Sequence, residues 1–148
     1  MLPAGGVLCG VDPGTKQTGL AFSDREWRTA GPDSVIKCRR QSDDIDAIGK
    51  RLAAREAVGM IVGMPVNADG KPDRGAQRCR AFGRALEDRF GLPTLMWDES
   101  LTSEAAEDAM RDAGIPAAKW PERIDMHAAA IMLQDALDWF AANLTPQT

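Results

Sequence analysis

Three acids stand far apart in this sequence, each at a position where a chain emerges from an apolar segment. Asp12 closes the run VLCGV, Glu99 follows TLMWD, and Asp125 opens the last apolar-striped segment. One carboxylate in such a place means little, because acids are common in loops. Three that meet would raise one another's pKa unless a cation offset their charge. Hard oxygen ligands without His or Cys partners suit Mg²⁺ or Mn²⁺ rather than zinc. Two such ions can activate a water and stabilise the leaving oxygen of a phosphodiester. Spacing in the chain does not bring the three together, so their convergence is an expectation for the fold to meet.

Other residues could serve a phosphate. The segment DPGTKQTG directly follows the first apolar run, and Gly14, Thr15 and Lys16 there offer backbone N–H groups, a hydroxyl and an ammonium. It lacks the GxxxxGK[ST] spacing of a Walker A loop. A tight hairpin with Gly14 and Gly19 in unusual backbone angles explains the same residues about equally well. In GMPVNADG, Asn67 could hold a phosphate or fix the loop through an Asx-turn, and taken alone the turn is the better explanation. His127 is the only histidine. It stands two residues from Asp125, a spacing that points two helical side chains in different directions, so a packing or surface role is expected. Trp97, Trp120 and Trp139 read as packing residues, and Trp120, in the loop before Asp125, is the one to test for base stacking.

The elements that must carry these groups follow from pattern. VLCGVD (7–12) reads as a buried strand, LAFS (20–23) as a second, and Trp27 to Cys38 as a third interrupted at Gly31-Pro32. Ser42 is placed to cap a helix with Ile45, Ile48 and Leu52 on one face, and Asp43 and Asp44 suit its positive end. VGMIVG (58–63) reads as a central strand. A helix is predicted over 74–90, closed by Gly91. A short strand from Pro93 to Trp97 follows, then a helix capped by Thr102 or Ser103 and ended by Gly114, a loop through two prolines, and a last helix from about Ile124 to Asn143. An opening meander followed by alternating strands and helices implies an α/β fold, a mixed sheet with helices on its faces. Sites in such sheets gather at the carboxyl ends of strands.

The 148 residues suit one domain, 1–148, with one sizeable core, and no apolar run approaches the roughly 20 residues that span a bilayer. No signal-like segment precedes the first motif, so a cytoplasmic protein is expected. Cys9, Cys38 and Cys79 form no CxxC pair, which argues against a disulfide framework or a structural zinc; Cys9 reads as a buried, inert thiol. The net charge of −4 runs against the usual basic character of nucleic-acid binders. Two basic clusters offset this locally, however: Lys71, Arg74, Arg78, Arg80 and Arg84, opposed in that stretch only by Asp73, and Lys37, Arg39 and Arg40. A local basic face is the functional expectation, and a solvated helix face the competing one.

Four blocks in order, GVDPGTKQTGLAFSD, IVGMPVNADG with AQRCRAF, WDESLTSEAAE and IDMHAAAIMLQDALD, resemble the YqgF/RuvX family over residues 10 to about 138. The resemblance implies an RNase H-like fold, with a central five-stranded mixed sheet flanked by helices on both faces. It implies a nuclease whose metal-binding and catalytic acids are Asp12, Glu99 and Asp125, using Mg²⁺ or Mn²⁺, with Glu99 a better ligand than Asp98. Thr15, Lys16 and Asn67 match positions near the scissile phosphate, and Arg74 and Arg78 would follow the substrate backbone. The family is associated with maturation of the 5′ end of pre-16S rRNA and with Holliday junction resolution, so structured RNA is favoured as partner over branched DNA. A monomer or a homodimer is expected, and the second is what symmetric junction cleavage needs. Two alternatives stand beside this. One is a non-catalytic nucleic-acid-binding module. The other is an ATP-binding protein of the sugar-kinase type, disfavoured because those bind ATP between two such domains. Two departures matter. DPGTK replaces the commoner DLGTK, and Ser100 stands where an arginine usually follows DE. Loss of a charged phosphate contact there would cost on the order of 1.5–3 kcal/mol.

Overall fold

The computed structural model describes residues 5–64, 74–98 and 102–143, the side chains of 102–106 and 121–125 excepted. Among these residues five strands and four helices follow in the order β1 (Leu8–Pro13), β2 (Gln17–Ser23), β3 (Ala30–Lys37), α1 (Gln41–Arg55), β4 (Gly59–Met64), α2 (Arg74–Phe90), β5 (Thr94–Asp98), α3 (Thr102–Asp112) and α4 (Trp120–Asn143), with a 3₁₀ turn, Ala117–Lys119, before α4. The sheet order is β3-β2-β1-β4-β5. The meander β1-β2-β3 is antiparallel, while β1, β4 and β5 run parallel, so their carboxyl ends share one edge.

The two-residue period of the central strands divides the core. Leu8 and Ile61 face α4, where Ala129, Met132, Leu133, Ala136, Leu137 and Phe140 cover them. Their neighbours Cys9, Val11, Met60 and Val62 face the opposite layer, built from Ile45, Ile48 and Leu52 of α1 and Leu86 of α2. Helices therefore cover both faces of a mixed five-stranded sheet, as expected from the sequence.

Some boundaries differ from expectation for local reasons. Ser42 does not cap α1. The cap position is Arg40, without a side-chain bond, and Asp44 from inside the first turn reaches back to accept the Arg39 backbone N–H at 3.0 Å. β3 runs straight through Gly31-Pro32, because an edge strand has one neighbour and tolerates a missing N–H. A register shift opposite, between Leu20 and Ala21, absorbs the irregularity. α4 begins at Trp120 rather than near Ile124, with Pro121 in its first turn, where its missing N–H costs nothing. Asp125 thus lies in the second turn of α4 and does not open it.

Candidate nuclease site at the carboxyl edge of the sheet

β1 presents Leu8, Gly10 and Asp12 on the α4 side. Gly10 fixes how closely the helix approaches: a Cβ there would stand 3.0 Å from Leu133 Cβ and 3.1 Å from the Ala129 carbonyl oxygen. α4 runs antiparallel to β1 from that contact. Gln134, further along, accepts the Ala30 backbone N–H at 2.9 Å, and Phe140 lies 5.4 Å from Trp27 at the opposite edge of the sheet. Asp12 stands two residues beyond Gly10, an advance of about 6.7 Å along a strand. Asp125 stands four residues before Ala129, about 6 Å along a helix in the same direction. The backbone therefore brings the Asp12 and Asp125 positions level with one another, on the same side of the sheet, at its carboxyl edge.

The third acid is reached through β5. Val11, Val62 and Met96 lie in one row across the three parallel strands. Met96 packs in the α1/α2 layer and Trp97 in the α4 layer. Strand alternation then gives Asp98 to the α2-facing row, opposite to Asp12. Glu99, Ser100 and Asn67 lie outside the described residues. Among the described residues no cluster of three metal-ligating side chains occurs. The donor set that the backbone does bring to this edge, Asp12 and the Asp125 position, offers carboxylate oxygens alone, which suits a hard divalent cation.

The turn between β1 and β2 closes this edge. Asp12 pairs with Gly19 and Pro13 with Thr18, leaving Gly14 to Lys16 at the bend before β2 starts at Gln17. Gly14 is required by proximity: a Cβ would stand 2.2 Å from the Gln17 carbonyl oxygen. Neither Gly14 nor Gly19 has the left-handed φ expected of a glycine hairpin, which occurs instead at Gly6, Gly91 and Gly114. Thr15 and Lys16 are exposed at the tip.

The arginines of α2 do not form one face. Arg74 and Arg78 stand one turn apart on the side of the β1–β2 turn, and Arg78 Nη1 donates to the Gly14 carbonyl oxygen at 3.4 Å. Arg80 and Arg84 lie on the other side of the helix, over Thr94 and Met96 of β5. Among the described residues the expected basic run therefore splits into two groups, with Arg78 at the β1–β2 turn and Arg74 one turn before it; Lys71 lies outside the described residues. Trp120 is held as a packing residue, its Nε1 donating to the Ile115 carbonyl oxygen at 2.9 Å under the Arg111 guanidinium. Trp97 and Trp139 pack edge-on at 6.1 Å. Burial pushes the Cys9 thiol far up, more than the nearby charges shift it, and that keeps it inert. The residue that sequence reasoning underrated is Arg39. It was visible as part of a basic cluster, and only the fold brings it opposite Arg78.

The model of the RuvX family, described as "Holliday junction resolvase", matches residues 6–139. A Sphingopyxis alaskensis protein named "Putative pre-16S rRNA nuclease" is 46% identical over 137 residues, 93% of this chain and 90% of that one. A protein of the same name from Novosphingobium aromaticivorans is 44% identical over 142 residues, 96% and 91% of the two chains. Among solved structures, T. thermophilus RuvC in complex with a Holliday junction substrate superposes with a TM-score of 0.55 at 19% identity, over 93% of this chain and 96% of that one. Fowlpox virus resolvase with its junction DNA gives a TM-score of 0.59 at 10% identity, over 90% and 98%. At such identities the likeness is one of fold. It is the RNase H-like fold with RuvC-type topology.

Proposed function

The chain belongs to the RuvX family, and from that premise we propose that it is a divalent-metal-dependent nuclease acting on the 5′ end of pre-16S rRNA in the cytoplasm. The observation that carries the chemistry is the level placement of Asp12 and the Asp125 position on the α4 side of the parallel strands' carboxyl edge. Glu99 is taken as the third acid in preference to Asp98, because Asp98 belongs to the row facing α2 and the reading needs a carboxylate on the side that Trp97 takes.

Asp12, Glu99 and Asp125 would hold Mg²⁺ or Mn²⁺ through hard oxygens. Such ions supply an activated water and offset the charge that builds on the phosphate. The chain's own residues do the rest. Asp12 sits on a central strand whose Leu8, Cys9 and Val11 are fully buried, so its position is fixed by core packing. Lys16 at the β1–β2 turn, with Asn67, would orient the scissile phosphate, and Thr15 beside them would serve a neighbouring one. Arg74 and Arg78 would take the flanking backbone as charge-assisted donors.

The substrate follows from the relatives, whose names specify pre-16S rRNA. A second reading, cleavage of four-way DNA junctions, has the family description and the two junction-bound structures of the same fold behind it. It requires two copies of the chain. Labelled rRNA precursor and junction DNA, incubated side by side with Mg²⁺ or Mn²⁺, decide between them. Asp12→Asn is expected to lower the cleavage rate by more than roughly 100-fold without loss of binding. Equal rates for the two proteins would remove the proposed site. A wild type that binds RNA but cuts neither substrate would leave a binding module.

A further inference from the structure

A cleft of about 270 Å³ opens on the opposite side of the sheet from the Asp12 row. Its walls are the β1–β2 turn, the connection from β3 into α1, and the first half of α2. Arg39 from the connection and Arg78 from α2 line it together with Thr15, Gln41 and Phe82. Arg39 and Arg78 are exposed, and among the described residues neither guanidinium is within ion-pair distance of a carboxylate. The acid that shares the cleft, Asp44, is 7% exposed and already accepts the Arg39 backbone N–H. That bond ties the backbone of Arg39 to α1, and Arg78 is held at the rim by its Nη1, which donates to the Gly14 carbonyl oxygen at 3.4 Å.

We propose that this cleft binds a backbone phosphate of the nucleic-acid substrate, at a distance from the scissile bond and on the other face of the sheet. Two arginines from elements distant in sequence, lining one cleft with a threonine and a glutamine, supply the kind of donors that a phosphate diester takes. The β1–β2 turn is common to both sites: Asp12 lies at its base on one face, and Thr15 lines the cleft on the other. A strand crossing that turn would be gripped on one side and presented to the acids on the other. The proposal rests on the nuclease reading for the identity of the ligand, and its test is of binding without cleavage.

The test uses fluorescence anisotropy with labelled RNA oligonucleotides in the absence of divalent metal, over a range of salt concentrations. Arg39→Gln and Arg78→Gln are each expected to weaken binding by about 10-fold and to lower the slope of log K against log salt by about 1. Arg39→Lys keeps the charge and should keep the slope while losing part of the affinity. Inorganic phosphate is titrated in parallel, following the amide resonances of Thr15 and Gln41 by NMR. If oligonucleotide affinity and slope are the same in wild type, Arg39→Gln and Arg78→Gln, the proposal is overturned. If inorganic phosphate moves Thr15 and Gln41 while RNA binding ignores Arg39, the cleft is a free-anion pocket and the backbone assignment fails. Cleavage is scored separately. A wild type that binds RNA through Arg39 yet does not cut would sink the nuclease reading and keep this one. A cutting enzyme indifferent to Arg39 would do the reverse.

Discussion

Asp33 illustrates how single residues set the stability on which the site depends. It sits on the edge strand β3, and its side chain is 6% exposed. Arg51 donates to it through Nε at 2.9 Å and Nη2 at 2.7 Å, Arg55 through Nη1 at 3.2 Å, and the Ser34 hydroxyl at 2.8 Å. Burial pushes its pKa up, but the hydrogen bonds from Arg51 and Ser34 and the two guanidinium charges outweigh it, and the carboxyl is held below the usual range. A carboxylate lowered in the native state stabilises the fold fully above its unfolded pKa, about 3.9, and that contribution is lost as pH falls through the native value. Asp33→Asn is therefore expected to cost on the order of 1.5–3 kcal/mol at pH 7. The gap between variant and wild type should narrow as the pH drops below about 4. Urea titrations at pH 7, 4 and 3 measure this. A gap that stays constant down to pH 3 would mean that Asp33 acts through packing and not through charge. The same pair ties β3 to α1, and so holds the wall of the cleft that carries Arg39.

At the scale of elements, the contact between β1 and α4 decides whether the acids can meet. Gly10 leaves no room for a side chain against Ala129 and Leu133. Gly10→Val is expected to destabilise the protein by about 1–3 kcal/mol through overpacking. It should also push α4 off the sheet and lower cleavage at temperatures where the variant is still folded, since small displacements at such a site are costly. A variant that melts early but cuts at the wild-type rate when folded would show that the spacing of Asp12 and Asp125 is not set here. This contact also marks the limit of what the sequence discloses. α2 was legible over its whole length, Arg74 to Phe90, because Ala76, Cys79, Gly83 and Leu86 recur at helical spacing and Gly91 supplies the left-handed turn after it. The central strands were legible as apolar runs. The cap of α1 was not, because Asp44 bonds backwards to Arg39 and the usual signal pointed to Ser42. β3 was half hidden by a proline that only an edge strand tolerates. The pairing of Arg39 with Arg78 across a cleft, like the level placement of Asp12 and Asp125, comes from long-range packing. Local periodicity carries no trace of it.

At the scale of the whole molecule, the described residues form two core layers with one sheet between them. Leu8 belongs to one layer and Cys9 to the other, and the same holds for Ile61 and its neighbours Met60 and Val62. Neither layer can come apart without exposing strands that the other needs, so the chain should unfold as one cooperative unit. Its own residues provide a probe for each layer. Trp120 and Trp139 lie in α4, and Trp27 and Trp97 pack on Phe140, so tryptophan fluorescence follows the α4 side. Cys9 and Cys79 are buried on the α1/α2 side, so their protection from a thiol reagent, mapped by mass spectrometry, follows the other. The two signals are expected to change at the same urea concentration, with Cys38, half-exposed near the β1–β2 turn, reacting earlier. Fluorescence lost while Cys9 stays protected would mean that α4 detaches as a separate unit. The acid at its second turn would then be assembled with Asp12 only part of the time, and the rate of cleavage would track the docking of one helix rather than the chemistry at the phosphate.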